Sequence, residues 1–222
     1  MKKNHDSYDL LSALGVSFKR DIDISLSPEE CFLSLIEDHE IIKNKRLLSL
    51  AILSFKNLQD YLRPDLFKRL IERRGSKTSH ILGGIIFRDH LKSPSRWIGL
   101  KKKIKTHIVK KILFSSEDLL EARGKDSFFS DFHIEMTPVL ESGKRKLFGK
   151  KWFFSRNPWI KNRIFMGPST RADVYTVKKH FLESNAYRFM ERFNYTPSSL
   201  YGIWNEIEFA QDLGAWENSK AS

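Results

Sequence analysis

Between residues 28 and 90, apolar residues recur every three or four positions, which is the spacing of the buried face of an α-helix. Ser27 suits a helix N-cap, and Glu30 completes a capping-box pattern with it. Gly75 stands where a helix would end at a glycine C-cap. The pattern predicts four successive helices with short connections. We therefore expect an α-helical N-terminal domain over residues 1–92, suited to ligand sensing or dimerisation.

The next segment predicts one basic amphipathic helix over residues 97–114. Its apolar residues are spaced three, four, four and four positions apart and form one stripe: Trp97, Leu100, Ile104, Ile108 and Ile112. Lysines cover the rest of its surface: Lys101, Lys102, Lys103, Lys105, Lys110 and Lys111. We expect the stripe to be buried if these lysines bind nucleic acid, and exposed if the helix lies on a membrane.

After residue 130 the hydrophobic period changes to two, the period of a β-strand. Alternating apolar residues, a turn at ESGKRK and a second strand at LFGKKWFF predict a small basic β-hairpin, which completes a middle segment of residues 93–156. Its tip and base carry Lys144, Arg145, Lys146, Lys150 and Lys151. The interleaved aromatic residues are Phe148, Trp152, Phe153 and Phe154. Such a ribbon suits phosphate contacts and base stacking, unless its rings only close the core.

Three further helices are predicted in the last segment, residues 157–222. The first is expected to begin with a capping-box pair of Thr170 and Asp173. Helical spacing predicts the buried residues of the first two helices as Val174, Val177, Phe181 and Leu182, and then Ala186, Phe189, Met190 and Phe193.

A sharp corner is predicted between the second and third of these helices. Asn194 is expected there in the left-handed conformation, which asparagine tolerates better than other non-glycine residues. Thr196 is the expected N-cap of the third helix, and a proline follows at its first position. The predicted inward residues are Leu200, Ile203, Trp204 and Ile207, and the outward ones are Ser198, Ser199, Tyr201, Gly202 and Asn205.

The stretches NRIFMGPSTRADVYTVKKHF and ERFNYTPSSLYGIWNEI resemble the winged helix-turn-helix domain of bacterial transcriptional regulators. The matching residues are Arg171, Ala172 and Asp173 at the start of the first helix, Asn194, Tyr195 and Thr196 at the corner, and Leu200 and Ile203 in the core. The resemblance covers roughly the last 60 residues. It implies a DNA-binding domain whose third helix makes groove contacts through Ser198, Ser199, Tyr201 and Asn205.

The sequence departs from this family in several places. Met190 stands where the family usually has alanine, so the first two helices are expected to sit slightly apart. The third helix has no Lys or Arg, and it carries Glu206 and Glu208. The nine residues after Leu213 are too few for a complete wing. The third helix is therefore expected to add modest selectivity or only to position the domain.

The net charge of +12 belongs to the middle of the chain. Residues 1–75 carry 13 Lys/Arg and 12 Asp/Glu, residues 76–165 carry 20 and 8, and residues 166–222 carry 6 and 7. A one-sided surplus attracts anionic partners, and its self-repulsion otherwise destabilises a fold. We therefore expect double-stranded DNA as the partner, with RNA as the alternative, bound largely through its phosphates.

Few patterns indicate catalytic or metal chemistry. The common zinc, P-loop and serine-nucleophile motifs are absent, and Cys31 is the only cysteine. Asp131, His133 and Glu135 would share one strand face, but such a row is more often a solvated surface than a metal site. No catalytic residue, metal or cofactor is therefore predicted. No apolar segment follows the basic start as in a signal peptide, and the longest apolar run, Leu47 to Phe55, is too short to span a membrane. We therefore expect a cytoplasmic protein without stable membrane insertion.

The leading hypothesis is a non-enzymatic, DNA-binding transcriptional regulator, for which a homodimer is compatible with the sequence. The main alternative is a peripheral membrane protein that inserts the apolar side of the helix over residues 97–114. A third hypothesis is a partner-docking protein, similar to an antitoxin, whose helix-turn-helix no longer binds DNA. The acidic third helix favours this last hypothesis.

Overall fold

The computed structural model describes residues 6–18, 20–38, 41, 44–74, 76–88, 94–105, 112–113, 115, 117–130 and 132–213. Most of these residues are helical, and each of the two strands is only two residues long. The predicted mainly α fold is therefore confirmed. The segment of residues 214–222, which was expected to be too short for a wing, lies outside the described ranges.

The N-terminal helices follow the predicted pattern. They are α1 (Ser7–Ala13), α2 (Pro28–Glu37), α3 (Lys45–Leu58), α4 (Pro64–Ile71), α5 (Ser76–Arg88) and α6 (Pro94–Lys105). The capping box at the start of α2 is confirmed, because the Ser27 hydroxyl accepts from the Glu30 N–H at 3.3 Å and Glu30 Oε2 accepts from the Ser27 N–H at 2.8 Å. The four helices predicted between residues 28 and 90 correspond to α2 to α5.

The amphipathic helix predicted to run to residue 114 is shorter. Helix α6 ends at Lys105, and Ile112–Leu113 forms strand β1, so one continuous helix is wrong. Residues 106–111, which include Ile108, Lys110 and Lys111, lie outside the described part of the chain. The side chains of Trp97, Leu100 and Ile104 are buried, as expected for a stripe that packs into the core.

The predicted β-hairpin is wrong. Helices α7 (Glu117–Arg123) and α8 (Ser127–Ser130) lead to strand β2 (Ile134–Glu135), which pairs in parallel with β1. The expected turn, Glu141–Lys146, is a 3-10 helix that we label η1. The expected second strand contains helix α9 (Lys150–Arg156).

The reason for this error lies in local conformation and packing. Phe132, Ile134 and Met136 are all buried, but His133 between them has a φ of +53°, which interrupts an extended strand. Helix η1 packs against α3, where a Cβ on Gly143 would lie 3.0 Å from a methyl group of Leu53. The short alternation of apolar residues therefore predicted correctly which side chains are buried, but it did not predict the secondary structure.

The three C-terminal helices are present at the predicted places. Helix α10 (Pro158–Met166) precedes α11 (Thr170–Lys179), α12 (Ala186–Phe193) and α13 (Pro197–Asp212). Asn194 ends α12 in the left-handed conformation, with φ 56° and ψ 47°, so the predicted corner is confirmed. Helix α13 begins after Thr196 with a proline at its first position, also as predicted.

Two predictions at helix α11 are wrong. Its N-cap is Ser169, whose hydroxyl accepts from the Ala172 N–H, and not the Thr170–Asp173 pair. Phe181, predicted to be buried, has 92% of its surface exposed because α11 ends at Lys179 and the chain turns away with a φ of +54° at Phe181. The predicted buried faces of α12 and α13 are otherwise confirmed, with Ile203 only half-buried.

One hydrophobic core joins residues from all three segments of the chain. It includes Leu53 of α3, Trp97 of α6, Trp159 of α10 and Phe189 of α12. Helix α2 packs against α3, α4 and α5, while α10 packs against α9 and α11. The helix-turn-helix-like part of the chain is therefore packed onto the N-terminal helices rather than extending away from them.

Candidate nucleic-acid interface

A buried charged cluster fixes α11 against the N-terminal helices. Arg163 of α10 has no exposed side-chain surface, and each of its five N–H donors has an acceptor. Its Nε and Nη2 donate to Asp173 at 2.7 and 2.9 Å, and its Nη1 and Nη2 donate to Glu29 at 2.7 and 3.0 Å. The remaining donor reaches the Tyr61 carbonyl at 3.1 Å. Arg163 therefore connects α2, α11 and the end of α3.

Arg63, which precedes α4, extends this cluster. Its Nη1 donates to Asp173 Oδ2 at 2.8 Å and its Nη2 donates to the Thr170 hydroxyl at 2.9 Å. Burial lowers the pKa of both Arg63 and Arg163, but the attraction of Asp173 outweighs this effect and the pKa of each guanidinium lies above its ordinary value. Both guanidinium groups therefore remain charged despite their burial.

A second set of ion pairs attaches α12 to α2. Arg192 donates from Nε and Nη2 to the two oxygens of Glu30, at 2.9 and 2.7 Å, and from Nη1 to Glu183 at 3.0 Å. Glu30 also closes the capping box of α2, so one carboxylate both caps its own helix and holds α12. This double use fixes the position of α12 before the corner.

The corner residue Asn194 is held by the end of α4. Its backbone carbonyl accepts from Arg69 at 3.0 Å, and its side-chain oxygen accepts from Arg73 at 3.2 Å. Its side-chain amide donates to Glu72 Oε2 at 3.1 Å. The other oxygen of Glu72 accepts from Lys103 of α6. Glu72 therefore bridges the corner to Lys103 of α6, and α13 begins at Pro197, just after this corner.

Cations outnumber carboxylates around this bridge. The Lys103 ammonium, followed by the charges of Lys68 and Arg69, lowers the pKa of Glu72 against the opposing effect of burial. Glu72 is therefore ionised at neutral pH, and it neutralises only one of the positive charges that face it. Arg69 also lies over the Tyr195 ring, with 4.4 Å between its central carbon and the ring centroid.

The outward face of α13 is exposed as predicted. Ser198, Ser199, Tyr201 and Asn205 all lie on the surface, and their groove contacts stay a prediction. Thr196 supplies no side-chain cap to α13, whose first residue is a proline and whose Ser199 N–H donates to the Thr196 carbonyl at 3.3 Å. Two of the three acidic residues of this helix are paired, Glu206 with Arg171 and Glu208 with Lys178, and the third, Asp212, is exposed at its C-terminal end.

The predicted basic residues divide between two places. Of the α6 lysines, Lys102 is exposed and Lys101 and Lys103 are half-buried, while the side chain of Lys105 is not described. Lys103 is the one that Glu72 connects to the corner. The other predicted group lies on η1 and α9 instead of on a hairpin: Lys144, Arg145, Lys146, Lys150 and Lys151. Helix η1 packs against α3, and α9 packs against α10. The two groups therefore belong to different parts of the surface.

Sequence reasoning missed the residues that connect the corner to α6. From the sequence, Arg73 belongs to a stretch, RRGSK, that suits a phosphate but is more simply a helix end and a turn, and neither Arg69 nor Glu72 stands out. The available signal was the basic, acidic, basic run KRLIERR that precedes Gly75. This run lies 20 or more positions before the lysines of α6 and about 120 before Asn194, so only the packing of α12 on α4 shows its role.

A second cationic surface was predicted only in part. A cleft of about 200 Å³ between α9, α10 and the end of α11 is lined by Phe154, Arg156, Lys161, Lys179 and His180, among others. The pKa of His180 is lowered, first by burial and then by the charges of Lys179 and Lys161. The lining of this cleft contains no carboxylate among the described residues.

We expect the pKa of His180 to lie below its ordinary value of about 6.5. The folded state then binds this proton less readily than the unfolded chain, so His180 makes folding less favourable as the pH falls below about 6.5. Lys161→Met removes one nearby positive charge and should raise this pKa, as measured by NMR titration of the imidazole. Lys125→Met, a change on a lysine paired with Glu135, serves as the control. An equal change in the His180 pKa in both variants would contradict a direct effect of Lys161 on His180.

The membrane hypothesis requires that the apolar stripe of α6 is exposed, and this stripe is buried. The fractions of Trp97, Leu100 and Ile104 that remain exposed are 1%, 2% and 0%. These three side chains are part of the core and do not form an apolar surface for lipid. Among the described helices, none is long and apolar enough to cross a membrane.

Metal ligands do not cluster in the described part of the chain. Within it, no group of three His, Cys, Asp or Glu side chains could hold an ion. His133 is exposed, and Asp131 from the same predicted row lies outside the described residues. Burial, and then Glu30 and Glu29, raise the pKa of the Cys31 thiol, so this cysteine is a buried, unreactive core residue.

No protein-family model, curated protein or solved structure matches the chain. The resemblance to winged helix-turn-helix regulators therefore remains a prediction from the residues quoted for it.

Proposed function

We propose that the protein is a non-enzymatic DNA-binding protein of the regulator type, which places the N-terminal half of α13 against a duplex. The observation that carries this proposal is the Glu72 bridge, which accepts from Lys103 on one side and from Asn194 on the other. A helix start with exposed Ser198, Ser199, Tyr201 and Asn205 thereby lies beside a cationic surface formed by α4 and α6.

These two parts would have different tasks on DNA. Lysine and arginine side chains at the ends of α4 and α6 would bind phosphates, which gives affinity without sequence information. Asn205 and the serines would contact bases, since asparagine pairs with adenine through two hydrogen bonds. The absence of Lys and Arg from α13 implies modest selectivity.

The paired acids of α13 support this proposal over the antitoxin-like alternative. Glu206 and Glu208 would repel phosphate if they were unpaired, but Arg171 and Lys178 neutralise them within the chain. The same pairing leaves them poorly suited to recruit a basic partner protein. Apart from Asp212 at its C-terminal end, the exposed residues that remain on α13 are small, polar or aromatic, which is compatible with a groove.

Reversal of one charge on α6, by Lys102→Glu, tests the proposed duplex binding. Binding of a fluorescein-labelled random-sequence duplex is measured over about 50–300 mM salt. We expect Lys102→Glu to weaken binding about tenfold at the low-salt end and to make the slope of log K against log salt shallower by about one. Lys102 is exposed, so this change should leave the free energy of unfolding unaltered.

The matched control is Arg123→Glu, an identical change of charge at an exposed position on α7. It should alter duplex binding less than twofold once the effect of net charge is allowed for. An equal loss from both variants would show that net charge alone attracts DNA and would reject the interface. A wild-type protein that does not bind duplex at the lowest salt would reject the function itself.

A further inference from the structure

Helix α9 exposes its two flanks to two clefts that share one arginine. The cleft between α9, α10 and α11 was described above, and Arg156 lines it. A second cleft, of about 580 Å³, lies between α9 and the segment after α1 and is lined by Phe18, Arg20, Ile22, Phe148, Trp152 and Arg156, together with Asp21. Arg156 thus stands between two concave surfaces, one on each side of the helix.

Each cleft carries a pair of aromatic rings at its edge. Phe148 and Trp152 are stacked, with 4.4 Å between ring centroids and 12° between ring planes. Phe154 and Phe165 meet edge to face, with 5.1 Å between centroids. Phe154 remains 39% exposed and Phe165 66% exposed, whereas Phe153 between the two flanks is buried and anchors the helix. The exposed rings therefore do not serve the core.

The charge around the Phe154 ring is positive, whereas the larger cleft also contains the carboxylate of Asp21. Arg156, Lys161 and Lys179 line the smaller cleft, and Lys161 lies 5.4 Å from the centroid of the Phe154 ring. Lys151 projects from the exposed side of α9. In the larger cleft Arg20 is bound to Asp6 and Asp9, at 2.5 and 2.7 Å. Arg156 is therefore the cation through which the two clefts connect.

We infer that this surface of α9 binds a single-stranded nucleic acid, with Arg156 on a phosphate and unpaired bases against the aromatic pairs on either side. Exposed rings interleaved with cations are the means by which proteins hold single strands, because each base offers a face for stacking while the backbone needs positive charge. In a duplex the base faces are covered by neighbouring base pairs, so exposed Phe165 would have no partner there.

This inference does not depend on the duplex proposal. It concerns α9, α10 and the end of α11, whereas the duplex surface is formed by α4, α6 and the start of α13. The two surfaces have separate residues and can be tested by separate variants. The hairpin predicted from the sequence is wrong, yet its mixture of basic and aromatic residues acquires a role on the helix that replaces it.

The test is binding of fluorescein-labelled oligo(dT) and oligo(rU) of about 12 nucleotides to the full chain over a range of salt. Phe165→Ala should weaken oligo(dT) binding about tenfold with an unchanged salt slope, because stacking is not electrostatic. Arg156→Ala should weaken binding and make the slope shallower by about 0.7, the value for one phosphate contact on a single strand. Equal results with both oligomers would assign the site to single strands in general, and a preference would assign it to one of them.

Phe209→Ala is the matched control, because Phe209 is exposed to the same extent as Phe165, 66%, but lies on α13. It should leave oligomer binding unchanged. Since Phe165 is largely exposed, its replacement should not unfold the chain, and circular dichroism verifies this. The inference would be overturned if Phe165→Ala and Phe209→Ala weakened oligomer binding equally relative to the wild-type protein. It would also be overturned if neither variant weakened binding. A third contradicting result would be that Lys102→Glu weakens duplex binding and oligomer binding to the same extent. Both ligands would then bind the surface that contains Lys102.

Discussion

Replacing Arg163 with methionine is expected to lower the free energy of unfolding by about 3–5 kcal/mol. The change removes the one guanidinium that donates to both Glu29 and Asp173 in the described part of the chain, and it leaves two buried carboxylates near a single remaining guanidinium, that of Arg63. Uncompensated buried charge is costly because water cannot solvate it. Urea unfolding followed by circular dichroism measures the effect, and a thermal scan should show a decrease of about 6–20 °C in Tm.

Arg171→Met is the appropriate control for this substitution. Arg171 also pairs with a glutamate, but 52% of its side chain and 58% of that of Glu206 are exposed, so the loss should be below about 1 kcal/mol. Arg163→Lys should give an intermediate loss, because one ammonium cannot supply the five donors of the guanidinium. Similar small effects from Arg163→Met and Arg171→Met would show that the buried cluster does not hold the fold together.

The buried cluster also bears on how the helix-turn-helix-like part can move. Arg163 and Arg63 tie α11 to α2 and to the start of α4, and Arg192 ties α12 to α2. Rotation of α11 to α13 away from the N-terminal helices would break several buried ion pairs at once. DNA binding through α13 is therefore expected to present the whole described part of the chain to the duplex, including the lysines of α6.

Local rules predicted those parts of the fold that depend on neighbouring residues. The capping box of α2 needs only Ser27 and Glu30, and the corner at Asn194 needs a residue that tolerates the left-handed conformation. Both are visible in a window of four residues. The buried face of α12 was equally visible, because its four apolar residues follow helical spacing and the helix is short.

Long-range pairing was not accessible in the same way. Glu29 and Arg163 are 134 positions apart, and in the sequence each is one charged residue among many. Asp173 was interpreted as part of a cap, although its carboxylate lies in the buried cluster. Phe181 was placed in the core by spacing alone, and the end of α11 moved it to the surface.

The candidate duplex interface shows the same division. The exposed residues of α13, including Asn205, were predicted correctly as outward from helical spacing. The lysines of α6 were also found, because their density on one helix is plain in the sequence. The position of Lys103 beside the corner depends on Glu72, which contacts both Lys103 and Asn194, and a contact shared by three helices leaves no periodic signal.

Gly15→Ala is expected to lower the free energy of unfolding by about 2–5 kcal/mol, through strain in the left-handed region and through overpacking. Gly15 has a φ of +81°, and a Cβ there would lie 2.1 Å from Cζ of Phe153. Phe153 is the buried anchor of α9, and the Gly15 carbonyl accepts from the Phe148 N–H at 2.8 Å just before that helix. The new methyl group must therefore displace the ring or the backbone that positions α9, and urea unfolding measures the loss.

Gly124→Ala separates the two causes of this loss. Gly124 has a similar φ of +73°, but a Cβ there would meet nothing within 4 Å, so only the backbone strain of about 1–2 kcal/mol applies. The difference between the losses of unfolding free energy at Gly15 and at Gly124 then measures the clash with Phe153. Phe153→Leu in the Gly15→Ala background should recover part of this loss, because it removes the ring that the new methyl group meets. Equal losses at the two glycines, or no recovery in the double variant, would show that Phe153 does not determine how tightly α9 is held.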